Sequence, residues 1–196
     1  IYNSGIETIK TRRLLEGGVN YMLAQKLPSG QYNSIFGNLA LESSYTLFPS
    51  RLAWCYGDLC VATSVWQAAK TLKNEYWANE AKTILIHSSQ RRDLAENGVV
   101  DACFCHGTAG IGHVFNRMYH ETNLKECKDA AKYWFEKTIE MSIFDDGPAG
   151  YKVWQGLGNG YESETGLLEG IAGIGLALLS YYHGADLSWD ECLLLS

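Results

Sequence analysis

The residues of this 196-residue chain best suited to chemistry are its sulfurs and imidazoles, six cysteines and five histidines. They are unevenly placed. The stretch "CFCHG" sets Cys103, Cys105 and His106 almost side by side, while Cys55 stands in "WCYGD", about fifty residues earlier. Thiolate sulfur and imidazole nitrogen are donors that zinc prefers, and a thiolate is also a nucleophile in its own right. By themselves, a Cys–His dipeptide and one distant cysteine are weak grounds for a metal, because free cysteines are usually buried as small hydrophobes. Cys60, Cys127 and Cys192 read as such core thiols. The six are not spaced like a disulfide scaffold, which points to buried thiols plus a metal or catalytic site in a reducing compartment.

The elements that must position these residues are helical. Ile6 to Lys26 carries a helical period with Ile9, Leu14, Val19 and Leu23 among its apolar positions, and Gln25 to Pro49 is a long polar connection. Three stretches then share one plan: a glycine-marked entry followed by an apolar helix. They are "WCYGDLCVATSVW", "CHGTAGIGHVFNRMY" and "LLEGIAGIGLALLSY". Their spacing of about fifty to sixty residues is the scale of a helical-hairpin repeat. The helices expected between the entries, from about Glu75 to Arg92 and over "NLKECKDAAKYWFEKTIEM", have one polar face. The apolar helices, over Gly107 to Tyr119 and Gly170 to Tyr182, need enclosure on every side. An inner ring of buried helices wrapped by an outer ring satisfies both demands. Strand signals are limited to a small hairpin in "GYKVWQGLGNGYE". The fold class is all-α.

Composition bounds the function. An apolar share of 46% with 19% charged residues is that of a globular domain, and a net charge of −6 argues against a nucleic-acid footprint, which wants a basic face. The longest apolar run, Leu167 to Tyr182, is broken by Glu169 and several glycines, so it reads as a buried helix and no integral membrane segment is expected. With the thiols read as reduced, a cytoplasmic location is expected. The chain opens on Ile1 rather than methionine, as expected of a piece of a longer gene product.

"SRLAWCYGD", "CHGTAGIGHVFNRMY", "LLEGIAGIGLALLSY" and the closing "WDECLLLS" together resemble the lanthionine synthetase C-like family, the lantibiotic cyclases, in order and spacing over nearly the whole chain. The resemblance implies a single domain over residues 1–196, roughly the C-terminal half of an α/α toroid, with the N-terminal repeats absent. It also implies one zinc ion (Zn2+) at the mouth of the inner ring, held by Cys55, Cys105 and His106; Cys103 is the residue best placed to exchange with a ligand. Two thiolates and one imidazole leave a tetrahedral zinc with an open position, as in catalytic sites. The family adds a peptide cysteine thiol across a dehydrated Ser or Thr to form a thioether. The implied partner is therefore a dehydrated precursor peptide with free cysteines, or a glutathione-like thiol, with a dehydratase as companion.

That addition builds an enolate, which needs a donor for its oxyanion and an acid for its α-carbon. Arg51, Trp54 and Tyr56 flank Cys55, and their family counterparts lie beside the metal. Arg51 and Tyr56 are expected to steady the enolate or orient the substrate, Trp54 and Glu169 to touch it, and Asp58 to cap the following helix. Asp101 is expected either to hydrogen-bond near the metal or to serve the loop, and His113 to be a core or supporting imidazole. In the family, the catalytic histidine lies in a glycine-rich repeat upstream and a catalytic aspartate further upstream. Neither stretch is in this chain, and His87, His113, His120 and His183 do not stand in that motif. A thiol- or peptide-binding module that keeps zinc without the acid–base groups is the alternative. A sugar-processing α/α barrel ranks last, because it needs two catalytic carboxylates and leaves the Cys–His pattern unexplained.

Overall fold

Six α-helices follow the expected order in the computed structural model, which describes residues 4–6, 8–184 and 188–195. They are α1 (Thr8–Ala24), α2 (Asp58–Leu72), α3 (Glu75–Ser89), α4 (Thr108–Thr122), α5 (Lys125–Glu140) and α6 (Ile171–His183). The expected hairpin is present as β1 (Val153–Trp154) paired antiparallel to β2 (Tyr161–Glu162). A short 3-10 helix, Ser188–Leu193, follows α6.

The helices form two layers. Helix α2 pairs with α3 and α4 with α5, while α4 also lies between α2 and α6, and α3 meets α5. The inner row is thus α2–α4–α6 and the outer row α3–α5, an arc of a double helical ring. Sequence dictates which helix goes where. In α5, Cys127, Ala130, Ala131, Trp134, Phe135 and Thr138 fall on one buried stripe, and Lys125, Lys128 and Lys132 face solvent. In α4 the buried residues run almost without break from Thr108 to Met118, because helices flank it on three sides. Phe135 stacks on Tyr181 of α6 with ring centroids 4.4 Å apart, which ties the outer row to the inner.

Both ends of the arc depart from expectation. On α1 only Val19 is buried, while Ile9 and Leu14 are 80% and 67% exposed. Helix α6, expected to be enclosed all round, buries Gly173, Ile174, Ala177 and Ser180, whereas Leu179 and Tyr182 are exposed. Among the described residues nothing covers these faces, so the apolar pattern of each is only half used. Cys192, read as a core thiol, is exposed; it lies on the outer side of the 3-10 turn whose buried members are Asp190 and Leu193. Cys127 is buried as expected, and Cys60 is half-buried.

Candidate metal centre

Each inner helix begins at the same kind of turn. Gly57, Gly107 and Gly170 are the residues preceding α2, α4 and α6. In the second and third turns the backbone bonds correspond one for one. Gly107 N donates to Cys103 O and Gly170 N to Gly166 O, both at 3.0 Å. Thr108 N donates to Asp101 O at 3.1 Å and Ile171 N to Glu164 O at 3.0 Å. The glycines are required by close approach. A Cβ on Gly107 would lie 2.4 Å from Cys103 N, and one on Gly170 would lie 2.3 Å from Gly166 N.

This repeat sets the chemistry. Cys55 and Tyr56 precede the first glycine, Cys105 and His106 the second, Leu168 and Glu169 the third. Only the third turn lacks the cysteine. The helix starts converge, since Cys105 N donates to Leu168 O at 2.8 Å and the Cys55 and Cys105 thiols meet. Two sulfurs at the starts of two helices lie where unpaired backbone N–H groups favour thiolate.

The electrostatics bear this out. A hydrogen bond from the Cys105 thiol brings Cys55 down to about 7, opposed by burial and helped by its own and the Tyr56 backbone N–H groups and by the Arg51 guanidinium. The same shared proton pushes Cys105 up, with burial and the negative charges of Cys55, Cys103 and Glu169 adding to it. One proton held between two sulfurs makes Cys55 the thiolate of the pair. Cys103 is a different case: it is buried, and burial with the Asp101 charge pushes it well up. In the metal-free protein Cys55 is therefore expected to alkylate with a midpoint near pH 7. Its reactivity falls as pH drops through that value, while Cys103 stays inert. Mass-spectrometric mapping of iodoacetamide adducts against pH checks this, and Cys55 titrating with the ordinary thiols would contradict it.

Asp101 organises the second turn from below. Its side chain is fully buried; Oδ1 accepts from Cys103 N at 3.0 Å and Oδ2 from Trp154 N at 2.9 Å. His106 Nε2 lies 3.9 Å from Oδ2, beyond a direct hydrogen bond but close enough for the carboxylate to attract the imidazole. The carboxylate–imidazole pairing is the usual support of a zinc-binding histidine. Asp101, Cys103 and His106 also offer three donor atoms within 4.8 Å of one another. That is the only such group among the described residues; the expected set of Cys55, Cys105 and His106 is not gathered as tightly, the two thiols meeting while His106 is tied to them by its place next to Cys105. The set with Cys55 and Cys105 has the exposed, low-lying thiolate that binds zinc readily. The set with Cys103 must ionise a buried thiol beside a carboxylate.

The remaining expected residues fall as follows. Arg51 acts on Cys55 by its charge and packs along Gly98, whose φ is +64°. Tyr56 is partly exposed and lines a cavity of about 230 Å³ between α1 and the loop at Gly37. Trp54 turns inward: its indole N–H donates to Leu193 O at 3.2 Å and its ring lies 6.1 Å from that of Phe104. Glu169 is exposed and adds negative charge beside Cys105.

Asp58 does not cap α2. The residue before that helix is Gly57, and no side chain caps its N–H groups. The Asp58 carboxylate is instead drawn into the core, where Oδ1 accepts from Ile35 N at 3.1 Å and Phe36 N at 3.0 Å. Oδ2 pairs with Arg91 Nη1 at 2.9 Å, and Arg91 Nη2 donates to Ser50 O at 2.6 Å.

Sequence reasoning also missed a buried pair. His113 Nε2 is 2.8 Å from Asp190 Oδ2, both fully buried, and burial lowers the His113 pKa against the pull of Asp190. The rings of Phe104 and Trp189 pack on His113 at 5.4 and 4.7 Å. The residues beside both candidate cysteine ligands, Trp54 and Phe104, therefore rest on an aromatic cluster locked by the C-terminal segment. The adjacent acids of "WDECLLLS", Asp190 and Glu191, were the available signal, though nothing local says which of them turns inward.

Comparison with known proteins places the chain in a family and shows its fold. A family model described as lanthionine synthetase C-like protein matches residues 1–194. The nisin biosynthesis protein NisC of Lactococcus lactis subsp. lactis is 27% identical over 146 residues, which cover 74% of this chain and 31% of that protein. A solved structure of nisin cyclase matches with a TM-score of 0.59 at 24% identity, covering 80% of this chain and 34% of that one. The match thus spans about a third of the length of either relative.

Proposed function

The chain belongs to the lanthionine synthetase C-like family, and on that premise we propose that it forms the zinc-bearing part of a thioether-forming cyclase acting on a dehydrated, cysteine-containing peptide. The observation that carries the reading is the meeting of the Cys55 and Cys105 thiols at the converging starts of α2 and α4, with His106 the residue next to Cys105 along the chain. Zinc held by these three residues would supply a coordination position at which an incoming cysteine thiol loses its proton at neutral pH.

The chain's own groups do the rest. Arg51 brings positive charge to the Cys55 side of the site, where an enolate oxygen would need it. Tyr56, one residue on, offers a hydroxyl donor. Glu169 adds a negative charge on the Cys105 side, which holds an incoming backbone amide or amine rather than an anion. The overall step adds S–H across a carbon–carbon double bond: sulfur bonds to the β-carbon and the α-carbon takes a proton. The histidines outside the proposed ligand set are not placed to deliver that proton: His120 and His183 stand in the last turns of α4 and α6, at the far ends from the thiol pair. His113 is sealed in with Asp190, and His87 Nε2 engages Asn33 O. The exposed apolar faces of α1 and α6 are where we propose that further helical hairpins complete the ring and bring the acid–base groups. Without those groups, the same site is a zinc-dependent thiol binder.

Metal content tests the reading. The purified chain should hold one zinc, and a cobalt-loaded sample should show thiolate-to-metal charge transfer from two cysteines. Cys55→Ser and Cys105→Ser each abolish stoichiometric binding, whereas Cys103→Ser keeps it. Asp101→Asn retains the metal with about 10- to 100-fold weaker affinity, as for loss of a histidine's carboxylate support. Binding that survives Cys55→Ser but is lost with Cys103→Ser would move the metal to the Asp101–Cys103–His106 group and end this assignment.

A further inference from the structure

A cavity of about 170 Å³ opens beside Cys55. It is lined by Trp54, the three leucines 193–195 and the α2 residues Cys60, Thr63 and Ser64, together with Cys55. Three features set it apart from an incidental surface depression. It shares Cys55 with the thiol pair. Its far wall is rigid: Leu193 O accepts from the Trp54 indole at 3.2 Å, and Leu195 O accepts from Gln67 Nε2 at 3.0 Å and Arg117 Nε at 3.2 Å. The segment is anchored further by the buried Asp190–His113 pair. Finally, it is small. At about 30 Å³ per water it has room for five or six, far less than a whole ligand needs.

From this we propose that the cavity is a specificity subsite, taking one aliphatic side chain from a residue next to the reacting cysteine of the peptide. The proposal rests on the reading of the thiol pair as the place where the substrate cysteine is held. A thiol held there brings its neighbouring residues within reach of this wall. The walls offer apolar surface from Trp54 and three leucines, so burial of a methyl or isobutyl group is favourable. No cation faces the cavity from these walls, so an acidic neighbour gains nothing there.

Isothermal titration of the zinc-loaded chain with small probes, Cys-Xaa amides and N-acetyl-Xaa-Cys amides, tests this. In one of the two series, affinity should rise about two- to fourfold for each carbon added from glycine through alanine and valine to leucine. It should fall again at tryptophan, which is too large. Ser64 is exposed on α2, so Ser64→Phe can fill the cavity without disturbing the core, and it should collapse the favoured series to the glycine value. Zinc-loaded protein with flat series of both kinds overturns the subsite alone. A gradient that survives Ser64→Phe does the same, because the side chain is then bound elsewhere. A chain that takes up no zinc at Cys55 and Cys105 removes the premise and the subsite together, and metal content separates that case from the others.

Discussion

Gly110→Ala is expected to leave the chain largely unfolded at room temperature, while Gly175→Ala stabilises it. Both glycines lie in the first two turns of inner helices, and helix propensity alone would favour alanine at each by about 0.5–1 kcal/mol. Contact decides otherwise. A Cβ at Gly110 would stand 1.7 Å from the carbonyl oxygen of Phe104 and 2.6 Å from its carbonyl carbon. These are backbone atoms of the turn that carries Cys105 and His106, and they cannot rotate away. Overpacking a core usually costs about 1–3 kcal/mol when side chains can yield. Here only the backbone can, so the loss should exceed that range and consume much of a stability of about 5–15 kcal/mol. Gly175 has nothing within 4 Å of a built Cβ. Urea unfolding followed by circular dichroism checks both, and a Gly110→Ala protein within 1 kcal/mol of the parent would mean the turn does not sit against the helix as described.

The same glycines mark how far the sequence could be read. The glycine-marked entries of α4 and α6 prove to be close backbone approaches at equivalent places, Gly110 on Phe104 O and Gly173 on Leu167 O (1.9 Å), whereas Gly112 meets only the Phe135 side chain and Gly175 meets nothing. The helices were legible for a related reason: α2 runs from Asp58 to Leu72 as its period required, and α5 buries the stripe its sequence displays. What escaped were partners far apart along the chain. Asp58 was read as a cap because a carboxylate at a helix start usually satisfies local N–H groups. Its actual donors are Ile35, Phe36 and Arg91, and no local rule selects among such distant groups. Asp190 and His113, 77 residues apart, escaped in the same way. The candidate ligands stand between these cases. Their residue types were legible, whereas the choice between Cys55 with Cys105 and Cys103 with Asp101 depends on which thiol is exposed, and exposure belongs to the folded ring.

The second large effect is expected at Arg91. Arg91→Met should destabilise the chain by about 3–5 kcal/mol, the cost of leaving a buried charge without its partner. Asp58 is wholly inaccessible and Arg91 nearly so, so water cannot replace the lost guanidinium. The two backbone N–H groups on Oδ1 hold the carboxylate in place and so keep the penalty local. Adding Asp58→Asn to Arg91→Met removes the stranded charge yet keeps an oxygen for Ile35 and Phe36. The double variant should therefore be more stable than Arg91→Met alone, a coupling that a double-mutant cycle measures directly. The effect reaches the metal centre through Ser50. Arg91 Nη2 holds the Ser50 carbonyl at 2.6 Å, and the loop from there to Gly57 carries Arg51 and Cys55. Gly57, at φ +80°, has no space for a Cβ against Ser50 Oγ at 2.6 Å, so the loop and the helix start are fitted to each other. Loosening Ser50 should cost zinc affinity as well as stability, whereas an equally destabilising change in the outer row, such as Trp134→Ala, should leave affinity near the parent value under native conditions. Equal zinc affinities in the two variants would separate the buried ion pair from the thiol site and confine it to holding the fold.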